Sequence, residues 1–226
     1  MGSLTRNVEQ PRKSAVSRNV LREGWTMISK NPSLRLITLM DIAQTLASSI
    51  WIGAVTLAFA KEALERGEGW WGLMNSSYAA GTMLGGILAL ALVKWIQKHL
   101  IASMTMGSLL FSLLTIAYGL NSLPWLALVL CLLVGPVNQI RAAAQQTALQ
   151  SNVPAESLTK VSVTHGLLMS TVMSVAIVTF GLVADQLGVQ WVYLVGGALM
   201  IVSAICSISL SRVHMDKHIT KHTTNM

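Results

Sequence analysis

Long runs of apolar residues dominate the chain and alternate with short polar segments. Each run is about 21 to 26 residues long, close to the roughly 20 helical residues that cross about 30 Å of hydrocarbon. Four of the runs contain no Asp, Glu, Lys or Arg, which a soluble core helix of this length almost never achieves. The pattern therefore predicts an all-α integral membrane protein with six transmembrane helices. The predicted spans are residues 34–58, 70–93, 100–120, 124–149, 161–184 and 189–210.

These spans divide the chain into a basic cytosolic leader (1–33), a six-helix transmembrane domain (34–210) and a cytosolic tail (211–226). The connections are too short to hold a soluble domain. No nucleotide-binding loop or zinc-type cysteine pattern is present, so we expect no cofactor and no metal. Cys131 and Cys206 lie inside apolar spans and are interpreted as small core residues.

Basic residues are distributed unevenly between the predicted loops. Thirteen of the sixteen Lys and Arg residues lie in the leader, the tail and the even-numbered connections, or, for Arg35, at the cytoplasmic edge of the first span. Two lie in the first connection, and Arg141 lies well inside a span. Because loops rich in Lys and Arg stay in the cytoplasm, we expect a multi-pass protein of the cell membrane with both termini cytoplasmic. The net charge of +7 is therefore a topology signal, and we expect no nucleic-acid partner. The thirteen residues are Arg6, Arg12, Lys13, Arg18, Arg22, Lys30, Arg35, Lys94, Lys98, Lys160, Arg212, Lys217 and Lys221.

Small residues repeat at four-residue spacing on two of the spans. Ser77, Gly81 and Gly85 lie on one face of the second span, and Gly166 and Ser170 on one face of the fifth. Such spacing is the ordinary device that lets neighbouring membrane helices approach closely. We interpret both sets as helix-packing positions.

The first span carries a carboxylate well inside the predicted membrane. Asp41 lies about 10 Å past the cytoplasmic boundary at 1.5 Å per residue, too deep for its short side chain to reach back to water. Gln44, Thr45 and Ser48 continue a polar stripe on this helix. Polar groups at this depth mark an interior path or a helix contact.

The fourth span carries a matching stripe of Asn138, Arg141 and Gln145, at a depth similar to that of Asp41. Gly135 and Pro136 precede it, and proline removes one backbone hydrogen bond from a helix. The pattern allows three interpretations of the two charges: a buried ion pair or gate, a direct role in substrate binding or proton coupling, or charges that water or snorkelling solvates.

Histidines give weaker signals. A lone His165 at the start of the fifth span is interpreted as a helix contact. The spacing of His214, His218 and His222 would align three imidazoles on one helix face, but a short polar tail has nothing to hold metal ligands in place. We interpret the tail as a solvated end.

Three passages resemble a known family: LREGWTMISKNPSLRLITLMDIAQTLASSIW (21–51), GWWGLMNSSYAAGTMLGGIL (69–88) and GPVNQIRAAAQQTALQSNVPAESLTKVSV (135–163). They are similar to the seventh, eighth and tenth-to-eleventh helix regions of the major facilitator superfamily, with the closest likeness to bacterial drug, siderophore and macrolide exporters. The chain departs from the family at two cytoplasmic connections. Residues 94–99 lack the usual Gly and Arg, and Thr159 and Lys160 stand where Gly and Arg are common.

The resemblance implies that the chain is the C-terminal six-helix half of a twelve-helix transporter, built from two inverted three-helix repeats. The first and fourth spans would then line the solute path. The partners implied are the lipid bilayer, a small-molecule solute, protons, and either a separate N-terminal half or a second copy. The leader would correspond to the linker between halves.

The leading functional hypothesis is secondary active transport, in the form of proton-coupled efflux of drug-like or amphipathic solutes. The alternative is a truncated, non-transporting membrane protein or an assembly subunit. We expect no enzyme, because the chain lacks a Gly-x-Ser-x-Gly nucleophile motif and a His-Glu-x-x-His helix.

The predicted topology can be tested by cysteine labelling in intact cells. A cysteine introduced at Ser122 should react with an impermeant maleimide from outside, and one at Thr220 should react only after permeabilisation. The unsubstituted chain, with its two native cysteines, gives the background. External labelling of the cysteine at position 220 would show that the orientation is the reverse of the predicted one.

Overall fold

The computed structural model describes the backbone of residues 18–51 and 53–224 and the side chains of residues 20–51 and 53–209. Every regular element in this part of the chain is helical, including a short 3-10 turn at Ala155–Ser157. The leader residues Arg6, Arg12 and Lys13 and the side chains of the tail histidines lie outside the described residues. The helices are α1 (Arg18–Lys30), α2 (Pro32–Ser49), α3 (Ala54–Glu62), α4 (Glu68–Ala91), α5 (Val93–Lys98), α6 (Leu100–Gly119), α7 (Pro124–Ser151), α8 (Leu158–Leu187) and α9 (Val189–Thr224).

Four helical segments are long and apolar enough to cross a membrane: α6, α7, residues 155–187 and residues 189–209. The bent pair of α2 and α3 makes a fifth. The second predicted span corresponds to α4, which is 24 residues long but less apolar, because Asn75, Ser76 and Ser77 lie in its first half. The architecture is therefore an all-helical membrane bundle.

The first predicted span is not one straight helix. The axes of α2 and α3 differ by 46°, and the break ends at Gly53, whose φ of 71° lies in the left-handed region that glycine adopts without a Cβ penalty. The predicted span over 34–58 therefore consists of two helices, because a regular α-helix cannot contain such a φ.

Helix contacts follow a two-fold pattern between two three-helix units. One unit comprises α2 with α3, α4 and α6, and the other comprises α7, α8 and α9. The pattern pairs α2 with α7, α4 with α8 and α6 with α9. Exchanging the members of each pair turns the α4–α7 contact into α8–α2 and the α2–α9 contact into α7–α6, and it leaves the α6–α9 and α2–α7 contacts unchanged. This is the contact pattern that two inverted repeats produce.

The most intimate of these contacts joins α4 to α7. Ser77 Oγ donates to the backbone oxygen of Leu128 at 2.7 Å. Gly81 and Gly85 face the α7 backbone so closely that a Cβ on either would meet it, and Gly135 of α7 faces α4 in the same way. Small side chains therefore bring two backbones together in the manner typical of membrane helices.

The small residues of the fifth predicted span do not make such a contact within the described part of the chain. A Cβ placed on Gly166 would have no atom within 4 Å, and Ser170 is exposed. This face of α8 is therefore open.

Two hydrophobic cores hold the bundle together. The first, the aromatic core, contains Trp51, Phe59, Phe111, Tyr118 and Tyr193, each less than 5% exposed. Trp51 contacts the rings of Phe111, Tyr118 and Tyr193, and Tyr118 stacks on Phe59 with a centroid separation of 4.5 Å. These rings hold α3, α6 and α9 together beside the break in the first span.

The second core, the aliphatic core, gathers Leu34, Ile37, Met40, Met104 and Leu149 with smaller residues near the start of α2 and the end of α7. Large apolar side chains elsewhere point outward along α4, α6, α7 and α8. Such a surface suits hydrocarbon, where exposed leucine and valine cost nothing.

The contact between α4 and α7 gives a matched pair of glycine substitutions. A Cβ on Gly85 would lie 2.5 Å from Pro136 Cα, whereas one on Gly86 has no atom within 4 Å. Gly85→Ala should therefore lower the free energy of unfolding by about 1 to 3 kcal/mol through overpacking. Gly86→Ala should be neutral or slightly stabilising, because alanine is the better helix former. Thermal unfolding of both variants in detergent measures the change in stability. Equal unfolding midpoints would contradict the close approach of α4 and α7 at Gly85.

Candidate functional site

A layer of polar side chains separates the aromatic core from the aliphatic core. On α2, Met40 belongs to the aliphatic core and Ala47 to the aromatic core, and Asp41 lies between them. On α8, Val161 and Ala176 flank His165 in the same way. We call the following set the polar layer: Asp41, Gln44, Thr45, Asn138, Arg141 and His165.

The polar layer contains an ion pair between two helices. His165 Nε2 of α8 lies 2.8 Å from Asp41 Oδ2 of α2, and the two side chains are 12% and 15% exposed. The histidine carries charge only when the imidazole is protonated. Both are ionisable groups and they meet where α2 and α8 touch, although the geometry at His165 Nε2 is not that of a hydrogen bond.

Arg141 lies deeper in the bundle and is 0% exposed. Its Nη2 donates to Asn138 Oδ1 at 2.5 Å, and its guanidinium carbon lies 5.4 Å from the centre of the Phe111 ring. Gly107 of α6 leaves room for the side chain, since a Cβ there would lie 2.9 Å from Arg141 Cβ. Nε and Nη1 have no hydrogen-bond acceptor among the described residues, so part of the donor capacity of this cation is unused.

The direct pairing of Asp41 with Arg141 expected from their similar depth is not formed. No atoms of the two side chains lie within ion-pair distance in the described structure, although Asp41 is near enough to attract the guanidinium electrostatically. His165 takes the place of Arg141 as the direct partner. Its interpretation as an ordinary helix contact was therefore incomplete.

A sequence signal for the pairing of Asp41 with His165 does exist. Both α2 and α8 start at the same side of the membrane in the predicted topology, and Pro32 and Leu158 are their first residues. Asp41 and His165 therefore follow nine and seven residues after their helix starts, at nearly the same depth. Sequence reasoning counted the fifth span from 161 and missed this match.

The other predicted site residues lie beside these groups. Thr45 Oγ1 donates to Met169 Sδ of α8 at 3.4 Å, and Ser48 is half-buried one turn further on. Gln44 Oε1 and Gln145 Nε2 are buried and have no hydrogen-bond partner in the described part of the chain. Buried polar atoms are normally paired, so these two amides, like Arg141, retain capacity for another polar group.

The described residues contain no group of three or more His, Cys, Asp or Glu side chains that could hold a metal ion. The arrangement therefore offers two ionisable groups in contact, Asp41 and His165, and buried donors and acceptors that lack partners in the described part of the chain. Ionisable groups in this setting are typical of solute or proton pathways through membranes.

Two curated relatives match nearly the whole chain. A Bacillus subtilis (strain 168) protein named uncharacterized MFS-type transporter YfmI is 35% identical over 220 residues, which are 97% of this chain and 52% of that protein. A second protein of the same organism, uncharacterized MFS-type transporter YjbB, is 28% identical over 207 residues, which are 92% of this chain and 51% of that protein. No protein-family model and no solved structure matches the chain.

The helical bundle and its apolar segments define a polytopic membrane protein. Together with the relatives, they show that the chain belongs to the major facilitator superfamily. It spans about half the length of the curated relatives it matches, and its fold fits half of the twelve-helix architecture.

A double-mutant cycle tests the pair between Asp41 and His165. Asp41→Asn and His165→Gln should each destabilise the protein, because each leaves a partly buried partner unpaired. The double variant should cost less than the sum of the two, with a coupling energy of about 1 to 3 kcal/mol. Denaturant unfolding of the purified protein measures all four forms.

Two further cycles serve as controls. Asp185→Asn removes an exposed carboxylate from α8. Its effect on the free energy of unfolding should simply add to that of His165→Gln. The cycle of Asp41→Asn with Arg141→Gln should give a smaller coupling than the histidine cycle, because those charges attract without direct contact. A larger coupling to Arg141 would show that the histidine is not the main partner.

Proposed function

We propose that the chain acts as the C-terminal half of a secondary active transporter that moves a small solute across the cell membrane with proton coupling. The observation that carries this proposal is the Asp41–His165 pair. It joins helices of the two inverted units at membrane depth, where an ionisable group is costly and is retained for a reason.

Proton coupling requires a group whose protonation changes a helix contact. Protonating Asp41, or deprotonating His165, removes one charge from the pair and leaves the other in surroundings that disfavour an isolated ion. The contact between α2 and α8 would then weaken. Thr45 and Met169 lie on the same helix boundary, so a change there would reach the whole α2–α8 contact.

Arg141 supports the proton-coupling role in a second way. Its two unpartnered nitrogens, Nε and Nη1, and its attraction to Asp41 make it an alternative partner for the carboxylate when His165 is neutral. Exchange of Asp41 between the two cations would couple proton release to a small movement of α2 relative to α7 and α8.

A complete transporter needs a second wall for its solute path. The length of the relatives supports a separate N-terminal six-helix half as partner, or a second copy of the chain. The open face of α8 around Gly166 and Ser170 would suit close approach of another helix. Both termini would lie in the cytoplasm, as the charge distribution predicts.

Efflux of drug-like or amphipathic solutes is the specific activity we propose. It rests on the likeness to bacterial exporters, and the polar layer supports it because a few unsatisfied polar atoms stand within a largely apolar wall. The alternative is a non-transporting membrane subunit, which the half-length match to the relatives favours.

Reconstitution with a partner tests the transport proposal. We expect the chain alone to insert into liposomes and move no solute. Combined with the half of the 35% identical relative that the chain does not cover, it should move an amphipathic fluorescent dye in response to a pH gradient. Assembly of both halves without any dye movement would favour the non-transporting subunit.

The charge variants separate coupling from transport in that assay. With Asp41→Asn, pH-driven dye movement should fall to the level of protein-free liposomes, while dye counterflow without a gradient continues. Asp185→Asn should leave both activities unchanged. If Asp41→Asn retains the response to the pH gradient, Asp41 carries no proton.

A further inference from the structure

A groove of about 510 Å³ runs between α1 and the first half of α2. Its walls are mainly apolar and include Trp25, Leu36, Leu39 and Ile42. Trp25 is 54% exposed and Leu39 is 48% exposed, so the groove is open to the surroundings of the bundle. None of these side chains belongs to the polar layer.

The groove has a polar end and an apolar end. Arg35 and Ser29 line it near the start of α2, and Leu39 and Ile42 follow Arg35 on the same helix face at i+4 and i+7. At 1.5 Å per residue, the apolar end begins about 6 Å beyond the guanidinium and continues for another turn. Polar and apolar parts are thus separated along the direction in which α2 enters the membrane.

Two polar groups in the groove lack partners within the described structure. The exposed Arg35 has no carboxylate within ion-pair distance, and Glu23 of α1 is paired with Lys160 of α8. Thr38 is 5% exposed, lines the groove, and its Oγ1 has no hydrogen-bond partner. The Arg35 guanidinium is therefore available to an acceptor group, whereas the Thr38 hydroxyl oxygen is itself buried.

The lining favours one kind of occupant. A phosphate could accept from Arg35, and acyl chains could lie along Leu39 and Ile42. The lining contains no Asp or Glu, so nothing there would pair with the cationic end of a choline or ethanolamine headgroup. In the predicted topology this end of α2 faces the cytoplasmic leaflet, which is rich in anionic lipid, and Trp25 would lie at headgroup level.

We propose that the groove between α1 and α2 binds an anionic phospholipid of the cytoplasmic leaflet, with its phosphate at Arg35 and its acyl chains along Leu39 and Ile42. The bound lipid would tie α1 to the membrane surface. It would also fill the corner between α1 and the helix that carries Asp41.

Native mass spectrometry of the purified full chain with added lipid tests this site. Phosphatidylglycerol should bind more tightly than phosphatidylcholine of the same acyl chains. Loss of one cation near an anionic headgroup corresponds to about a fivefold change in affinity, so Arg35→Gln should weaken phosphatidylglycerol binding by about that factor. Arg35→Lys should keep most of it.

Matched variants define the site. Lys94→Gln removes an exposed cation of α5, on the same predicted side of the membrane, and should leave the affinity unchanged. Leu39→Trp adds bulk at an exposed position in the groove and should weaken binding of both lipids. Glycerol 3-phosphate should not compete, because the site needs acyl chains as well as phosphate.

Several results would overturn the proposal. Equal affinities for phosphatidylglycerol and phosphatidylcholine would show that the charge plays no role in binding. If Lys94→Gln lowered the affinity for phosphatidylglycerol as much as Arg35→Gln does, the lipid would be attracted to the whole basic surface and not to this groove. Competition by glycerol 3-phosphate would indicate a phosphate site without lipid. Loss of the bound lipid on assembly with the other half of a relative would show that protein covers the groove.

Discussion

Charged side chains between two apolar cores must find partners inside the protein, since neither lipid nor bulk water solvates them there. Asp41 and His165 satisfy this requirement by direct contact across α2 and α8. Arg141 satisfies it only in part, through Asn138 and the face of Phe111. Because an incompletely paired buried cation is costly, the packing of α2, α6, α7 and α8 around the polar layer depends on how these three charges are arranged.

The close contact of α4 with α7 supplies the rigid part of the bundle. Glycines on both helices bring the backbones together, and the Ser77–Leu128 hydrogen bond ties them at one level. The exchanged contact, α2 with α8, is made by larger and partly polar side chains, including Thr45 and Met169. The two symmetry-related contacts therefore differ physically, and the contact between α2 and α8 is the one that contains the Asp41–His165 pair.

The break in the first span and the aromatic core belong together. The regular helix α2 ends at Ser49 and Gly53 directly precedes α3. Trp51, between them, packs against Tyr78, Tyr118 and Tyr193. The rings hold α3 against α6 and α9 although α2 runs in another direction. The aromatic core therefore spans the break, because Trp51 and Ile50 precede Gly53 while Phe59 follows it and all three belong to the same core.

Residue patterns alone were sufficient for the all-helical membrane class and the approximate spans, because bilayer thickness sets helix length and excludes unpaired charges from hydrocarbon. Family membership also followed from short passages of sequence, and the relatives confirm it. Composition could not show the break at Gly53, since a glycine inside an apolar run is compatible with a continuous helix. The partner of Asp41 also depended on tertiary structure. Arg141 and His165 lie at similar depths on different helices, and only the rotation of α7 and α8 about their axes decides which side chain reaches the carboxylate.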